Sequence, residues 1–174
     1  IAEDSLAGLW IGTANNAGLK RMDRKTGKFS HYLSGLTITT IHRDKLGDIW
    51  VTSESGLFRY DRKSDDFNTN TTENAGFSIN EIASLINDDE NNLWIAAETG
   101  IYKLNKDRTQ LSRFGRDNGV DDADNFFQFG ASFKSENGKI YFGKEYGYFV
   151  FTPAELKTIP GSTQLHFTNF WLKN

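Results

Sequence analysis

The chain contains no cysteine, which excludes disulfides and thiolate zinc sites. It has only 2 prolines. No window reaches the ~18 consecutive apolar residues of a membrane-spanning helix. There is no excess of positive charge either: 20 Lys and Arg stand against 23 Asp and Glu, for a net charge of −3. The largest basic cluster, Lys20, Arg21, Arg24, Lys25 and Lys28, is interrupted by Asp23. Nucleic-acid binders carry a basic face, so this cluster is expected to be a solvated hairpin surface and no nucleic-acid partner is expected. The three histidines, His31, His42 and His166, sit at different phases with no HxH or HExxH spacing. They are expected at the surface or on a rim rather than on a metal or in a triad. Nucleophile-elbow, phosphate-loop and dinucleotide-binding motifs are all missing. No catalytic residue, metal or cofactor is therefore expected.

What the chain does have is aromatics and turns: 14 Phe, 6 Tyr, 4 Trp and 16 Gly. That composition favours short strands joined by tight turns. The aromatics also recur. Trp10, Trp50, Trp94 and Tyr141 follow one another at spacings of 40, 44 and 47 residues. The words around them agree: "DSLAGLWIGT", "DKLGDIWVTS", "DDENNLWIAA" and "SENGKIYFGK". An Asp stands six residues before the aromatic in three units (Asp4, Asp44, Asp88). Gly47, Asn91 and Gly138 stand three before it, whereas the first unit has Ala7 there and Gly8 one place later. Downstream, Gly56, Gly100 and Gly147 follow by six, and Gly18 by eight, consistent with a two-residue insertion.

Each word has a physical reading. Asn and Gly tolerate positive φ and suit the turn of a hairpin. "IWVTS" and "LWIAA" are apolar and β-branched, as a strand buried on both faces requires. "LFRYD" alternates, with Phe58 and Tyr60 on one face and Leu57 and Arg59 on the other. "LTITTIHRD" and "INEIASLIND" supply a first strand upstream. A four-stranded unit of about 40–45 residues that cannot cover its own faces is a propeller blade. The expected fold is therefore all-β: a β-propeller of about four blades, each of four antiparallel strands, with each Trp stacked on the neighbouring blade. The units run at about 1–33, 34–77, 78–120 and 121–160.

The WD dipeptide and the paired glycines of kelch repeats are missing, and the Asp-box of sialidases has one residue fewer between its Asp and Gly. Asp4 to Tyr32, "DSLAGLWIGTANNAGLKRMDRKTGKFSHY", instead resembles the two-component regulator propeller repeat, "DxxGxLWIGTxxGLxRxDxxTGxFxxY". Asp44 to Phe67 and Asp88 to Phe114 follow the same pattern more loosely. "GKIYFGKEYGYFVFTPAELK" resembles the closing blade of such propellers, and "QLHFTNFWLKN", within residues 161–174, resembles the strand leading into an Ig-like domain. The resemblance implies the periplasmic sensor domain of a membrane histidine kinase, often of the hybrid type found in Bacteroidetes, which detects glycan fragments. Propellers of that family have about seven blades. The four units here, the first lacking most of its inner strand, are thus expected to be the C-terminal part of a longer ring. Association with another copy, or with the missing part, is expected to cover the exposed blade faces in preference to closure as a four-bladed ring.

Function is then expected in the loops that vary between repeats. Thr37 and Glu81 stand where the inner strand comes in from the rim and are candidates for the channel mouth. "NFFQFG", Asn125 to Gly130, holds the same place in the last unit. Asn125 and Gln128 offer hydrogen bonds to a sugar ring, while Phe126, Phe127 and Phe129 either stack on it or fill the blade core. The acidic runs Asp88-Asp89-Glu90 and Asp121-Asp122-Asp124 lack the Gly-centred loop of a calcium site and read as turns. Asn70-Thr71-Thr72 is a formal glycosylation sequon that reads as a loop. Three functions remain open: a carbohydrate-sensing module without catalysis, a propeller lyase or glycosidase, and a passive protein-binding scaffold.

Overall fold

Each repeat folds into its own antiparallel sheet. The computed structural model describes residues 1–68, 81–120 and 127–156. The first sheet holds β1 (Ala2–Glu3), β2 (Gly8–Gly12), β3 (Leu19–Asp23) and β4 (Phe29–Tyr32). The second holds β5 (Ile38–Arg43), β6 (Ile49–Ser53), β7 (Gly56–Asp61) and β8 (Asp66–Asn68). The third holds β9 (Ile82–Asn87), β10 (Leu93–Ala97), β11 (Gly100–Leu104) and β12 (Leu111–Phe114), followed by a 3-10 turn at Arg116–Asn118. The fourth holds, among the described residues, β13 (Phe127–Lys134), β14 (Ile140–Lys144) and β15 (Gly147–Phe151). Strand order follows sequence order in every sheet. The sequon, Asp121, Asp122, Asp124, Phe126, His166 and the "QLHFTNFWLKN" strand lie outside the described residues.

Burial separates the inner sheets from the outer two. Every residue of β6 and β10 is buried, because each has a neighbouring sheet on both faces. In β2 and β14 the two faces differ: Trp10, Ile140 and Phe142 are buried, whereas Leu9, Ile11 and Tyr141 are only half-buried. Three cores follow one rule, in which the Trp side of one sheet packs on the opposite side of the next. Trp10, Leu19 and Tyr32 meet Ile49, Val51 and Phe58. Trp50 and Leu57 meet Leu93, Ile95 and Tyr102. Trp94, Ile101 and Phe114 meet Ile140, Phe142 and Phe151. The alternation of "LFRYD" is realised here, with Phe58 and Tyr60 packed toward Trp10 and Leu57 toward Trp50.

The inner strands are tied side by side. The Thr40 hydroxyl donates to the Ala83 carbonyl at 3.3 Å, and Ser132 donates to the Leu85 carbonyl at 3.0 Å. His42 Nε2 lies 2.6 Å from Asn87 Oδ1. His42 is therefore not the surface or rim residue expected; it is held between two inner strands, where a polar side chain needs the partner that Asn87 supplies.

The first hairpin turn of each sheet places one residue in the left-handed region: Ala7 (φ 61°), Gly47 (φ 82°), Asn91 (φ 66°) and Gly138 (φ 80°). Ala7 thus takes the strained position itself, and Gly8 begins β2, where an added β-carbon would lie 2.5 Å from Asp4 Oδ2 and the Arg21 guanidinium. A β-carbon in this region costs roughly 1–2 kcal/mol, partly offset by the backbone freedom that Gly loses on folding. Ala7→Gly is expected to stabilise the protein by about 0.5–1 kcal/mol. The reverse change, Gly47→Ala, should destabilise it; the nearest atom to an added β-carbon there is Arg62 Nη2 at 3.5 Å, so the cost is conformational. Urea unfolding midpoints check both, and an unchanged or lowered midpoint for Ala7→Gly would contradict the strain argument.

Candidate functional site

The recurrent Asp is the hub of the first hairpin turn. Asp44 Oδ1 accepts from the Leu46 and Asp48 amides at 3.0 and 2.9 Å, and Oδ2 accepts from Trp50 Nε1 at 3.0 Å. Asp4 repeats this with the Leu6 and Gly8 amides, both at 2.8 Å, and Trp10 Nε1 at 3.0 Å. Asp88 accepts from the Asn92 amide and from Trp94 Nε1, both at 2.8 Å. One carboxylate therefore closes the turn and satisfies the indole that wedges the sheets apart. In the fourth sheet, Tyr141 has no indole N–H, and Ser135 stands in the Asp position with its hydroxyl donating to the Lys139 carbonyl at 3.1 Å.

Cations complete two hubs. Arg21 Nε donates to Asp4 Oδ2 at 2.7 Å and its guanidinium lies 5.6 Å from the Trp10 ring centre. So one member of the basic cluster is a partner within the sheet, not solvated charge. Arg108, from the third sheet, reaches Asp44 Oδ2 in the second at 2.8 Å and covers the Trp50 ring at 5.4 Å. Asp89 is exposed and pairs with Lys45 and Lys134. The Asp88-Asp89 run thus serves one turn carboxylate and two inter-sheet ion pairs.

These surroundings set the acid response. Burial opposes ionisation of Asp44, but the Trp50 indole, Arg108 and the Asp48 amide outweigh it and hold the carboxyl below its ordinary pKa. For Asp4, burial is likewise outweighed, by Arg21 and the Gly8 and Leu6 amides. Burial pushes the His42 imidazole below its ordinary value, against the opposing hydrogen bond to Asn87. All three groups bind a proton less readily folded than unfolded. Each therefore contributes stability that is full above its unfolded pKa and is lost as pH falls through the folded one. Unfolding free energy should be flat above about pH 7, decline modestly below about 6.5 as the unfolded His42 charges, and fall steeply below about 4. Urea titrations across that range check it. A His42→Gln variant should lose the upper slope, and a wild-type value constant from about pH 7 to 5 would contradict the role of His42.

The opposite rim carries the sequence candidates. Thr37 precedes Ile38, which pairs with Ser53 beside the Glu54 turn. Glu81 precedes Ile82, which pairs with Ala97 beside the Glu98 turn. Phe127 pairs with Lys144 beside the Glu145–Tyr146 turn, and Gln128 follows it. Thr37, Glu81 and Gln128 thus share one rim, at corresponding places in three sheets. Among the described residues, no hydrogen bond joins these three directly. Asn125 lies outside the described residues.

Thr37 bridges two sheets. Its hydroxyl donates to Asn16 Oδ1 at 2.9 Å, the Asn16 amide donates back at 3.1 Å, and its own amide donates to Glu54 Oε1 at 3.4 Å. The Glu98 amide donates to the Glu81 carbonyl at 3.4 Å. The Glu98 carboxyl is pushed up by the hydrogen bond that its protonated form donates to the Glu81 carboxylate and by repulsion between the two. Gln128 is exposed. Of the two described phenylalanines of "NFFQFG", Phe127 fills the core but Phe129 is 66% exposed. The reason is a register shift in β13 between Phe127 and Ser132, with Gly130 at φ 69°, which turns Phe129 outward. Tyr146, in the turn between β14 and β15, is 90% exposed. The sequence reading missed Asn16, Glu54, Glu98 and Tyr146. The signal was there: "ESG", "ETG" and "EYG" set Glu54, Glu98 and Glu145 at one position of three turns.

Three cavities lie away from this rim, one of about 400 Å³ among Asp48, Arg59, Tyr60 and Asn68. A second, of about 380 Å³, runs between the outer strands of the third sheet and Pro153–Leu156, with Lys103, Asn105 and Gln110 in its wall. Another, of about 250 Å³, lies beside Asp89, Lys103 and Thr152.

No protein-family model matches the chain. In sequence it is 26% identical, over 98% of its length, to histidine kinase P4 of Formosa agariphila, and it spans 13% of that protein. In fold it is similar to the extracellular domain of the hybrid two-component system BT3049 of B. thetaiotaomicron, with a TM-score of 0.72 and 23% identity over 88% of this chain and 21% of that one. It is also similar to the extracellular domain of the B. thetaiotaomicron system BT4673, with a TM-score of 0.71 and 20% identity over 90% of this chain and 24% of that one. Virginiamycin B lyase of Staphylococcus aureus shares the fold at a TM-score of 0.59 and 13% identity, over 87% of this chain and 54% of the lyase. Four Trp- or Tyr-centred antiparallel sheets and the likeness to these solved structures agree with the repeat words: this chain is a set of β-propeller blades, similar in fold to the extracellular domains of two-component systems.

Proposed function

We propose that the chain is a non-catalytic recognition module on the extracytoplasmic side of a two-component sensor, and that the rim of Thr37, Glu81 and Gln128 holds a neutral carbohydrate. The observation that carries the reading is the chemistry of that rim. The Glu81–Glu98 carboxyl pair and the Asn16 and Gln128 amides offer hydrogen-bond acceptors and donors, and exposed Phe129 and Tyr146 offer flat apolar faces. The acidic pair disfavours a uronate and favours hydroxyl donors. The likeness to a histidine kinase and to two-component extracellular domains supports the sensor role. In such a role the ligand acts by contacting two adjacent sheets differently in two arrangements, as Thr37 already does between the first and second.

The test is a thermal-shift screen of neutral and acidic oligosaccharides. At a concentration one hundred times the Kd, a ligand adds about 2.7 kcal/mol, which is a rise of roughly 5–10 °C for a chain of this size. A neutral sugar is expected to give this rise, and Gln128→Ala with Glu81→Ala is expected to abolish it. A shift from acidic sugars alone, or one untouched by these substitutions, contradicts the reading. Release of product during incubation would favour the lyase or glycosidase reading instead.

A further inference from the structure

The inner strands of the second, third and fourth sheets break register at the same place, but not by the same amount. Ile38 and Ile41 pair with Ser53 and Val51, so three steps along β5 answer two along β6. Ile82 and Leu85 pair with Ala97 and Ile95, which is the same single added residue. In the fourth sheet Phe127 and Ser132 pair with Lys144 and Phe142, so five steps answer two. At its rim end β13 therefore carries two residues more than its counterparts. A bulge re-aims the side chains it carries, and here those include Gln128 and Phe129, both exposed.

The surrounding residues accommodate the two extra ones. Thr52, Ala96 and Gly143 hold one position in the three sheets, each next to the residue that pairs with the turn glycine. A β-carbon on Gly143 would lie 2.8 Å from the Ala131 β-carbon, so this glycine makes room for the bulge. Gly130, at φ 69°, supplies the left-handed backbone that the bulge needs. Thr40 and Ser84 also correspond, opposite Thr52 and Ala96. Thr40 donates to the Ala83 carbonyl of the next inner strand. Ser84, only 1% exposed, has no hydrogen-bond partner for its Oγ among the described residues. The bulge explains the difference, because it displaces the stretch of β13 that would offer the carbonyl. A buried hydroxyl without a partner is destabilising, and the second and third sheets form without the extra residues.

We propose that the two added residues of β13 are a specificity insertion, kept despite the lost Ser84 hydrogen bond because it presents Gln128 and Phe129 to a ligand at the rim. This rests on the carbohydrate reading and deepens it: one insertion supplies both a ring for the apolar face of a sugar and an amide for its hydroxyls. Gly130 and Gly143 are then positioning residues.

The test is a variant lacking Gln128 and Phe129. It leaves Gly130 and Ala131 between Phe127 and Ser132, as Thr39 and Thr40 stand between Ile38 and Ile41. The shortened chain is expected to keep the wild-type far-UV circular dichroism and a urea midpoint no lower than wild type. Ser84→Ala should not lower the wild-type midpoint, but should lower that of the shortened chain, where the hydroxyl regains an acceptor. Neutral oligosaccharides should bind the shortened chain about tenfold more weakly or not at all. A shortened chain that does not fold overturns the proposal, since the residues are then integral to the sheet. So does a Ser84→Ala loss in the full-length protein as large as that of Thr40→Ala, a comparison that does not need the shortened chain. A shortened chain that keeps the whole thermal shift overturns the specificity role. If no neutral sugar shifts the wild type, the carbohydrate reading fails, and the midpoints still decide whether the two residues are an insertion.

Discussion

Asp44→Ala is expected to lower the unfolding free energy by about 3–5 kcal/mol, the range for breaking a buried ion pair. Its side chain is fully buried, and that of its partner Arg108 is 5% exposed. The substitution leaves the guanidinium without its counter-charge, and the Trp50 indole and the Leu46 and Asp48 amides without an acceptor. Arg108 Nε is already unpaired, and Nη1 keeps only the Asn91 and Asn105 carbonyls. Removing both charges together, in Asp44→Ala with Arg108→Met, should recover part of the loss, since the penalty of a lone buried charge is gone. Asp89→Ala is the surface control: its carboxylate is exposed and paired only with two lysines, so the midpoint should scarcely move. Equal effects at Asp44 and Asp89 would contradict the hub role.

Trp94→Ala is expected to cost about 3–5 kcal/mol by leaving a cavity. Trp94 is fully buried between the third and fourth sheets, with its ring centre 5.4 Å from that of Phe114 and 4.8 Å from that of Phe151. Trp94→Phe separates packing from hydrogen bonding. It keeps an aromatic ring in the cavity, while Asp88 Oδ2 keeps the Asn92 side-chain amide as a donor at 2.8 Å, so a smaller loss of about 1–3 kcal/mol is expected. Urea unfolding followed by far-UV circular dichroism measures both. If Trp94→Ala proved no worse than a surface substitution, the wedge account would be wrong for this sheet.

The fold was legible because its signal is local and repeated. A Trp every forty-odd residues, a turn before it and an alternating strand after it are short-range features, and together they fix sheets, strand order and the two-sided burial of β6 and β10. The role of the recurrent Asp was not legible, although its position was. Its decisive partner, Arg108, is 64 residues away and belongs to another sheet, and no periodicity announces such a pair. His42 was misplaced for the same reason, since Asn87 comes from the neighbouring inner strand. Phe129 faces outward because β13 shifts register, and a shift of one residue reverses which face a side chain takes. For the rim, the positions of Thr37, Glu81 and Gln128 could be read from the repeat. The Glu81–Glu98 pairing could not, because the sheet itself brings the two together.

The central claim is that the indoles of Trp10, Trp50 and Trp94 are each tied by a turn carboxylate and sealed between sheets. Hydrogen exchange of the indole N–H groups, followed by nitrogen-15 NMR, tests it most directly. The Nε1–H groups of Trp10, Trp50 and Trp94 should exchange as slowly as the core amides of β6 and β10, and Asp4→Asn, Asp44→Asn and Asp88→Asn should each speed exchange at its own Trp alone. Indoles that exchange within the dead time in the wild type, or that respond equally to all three substitutions, would contradict it.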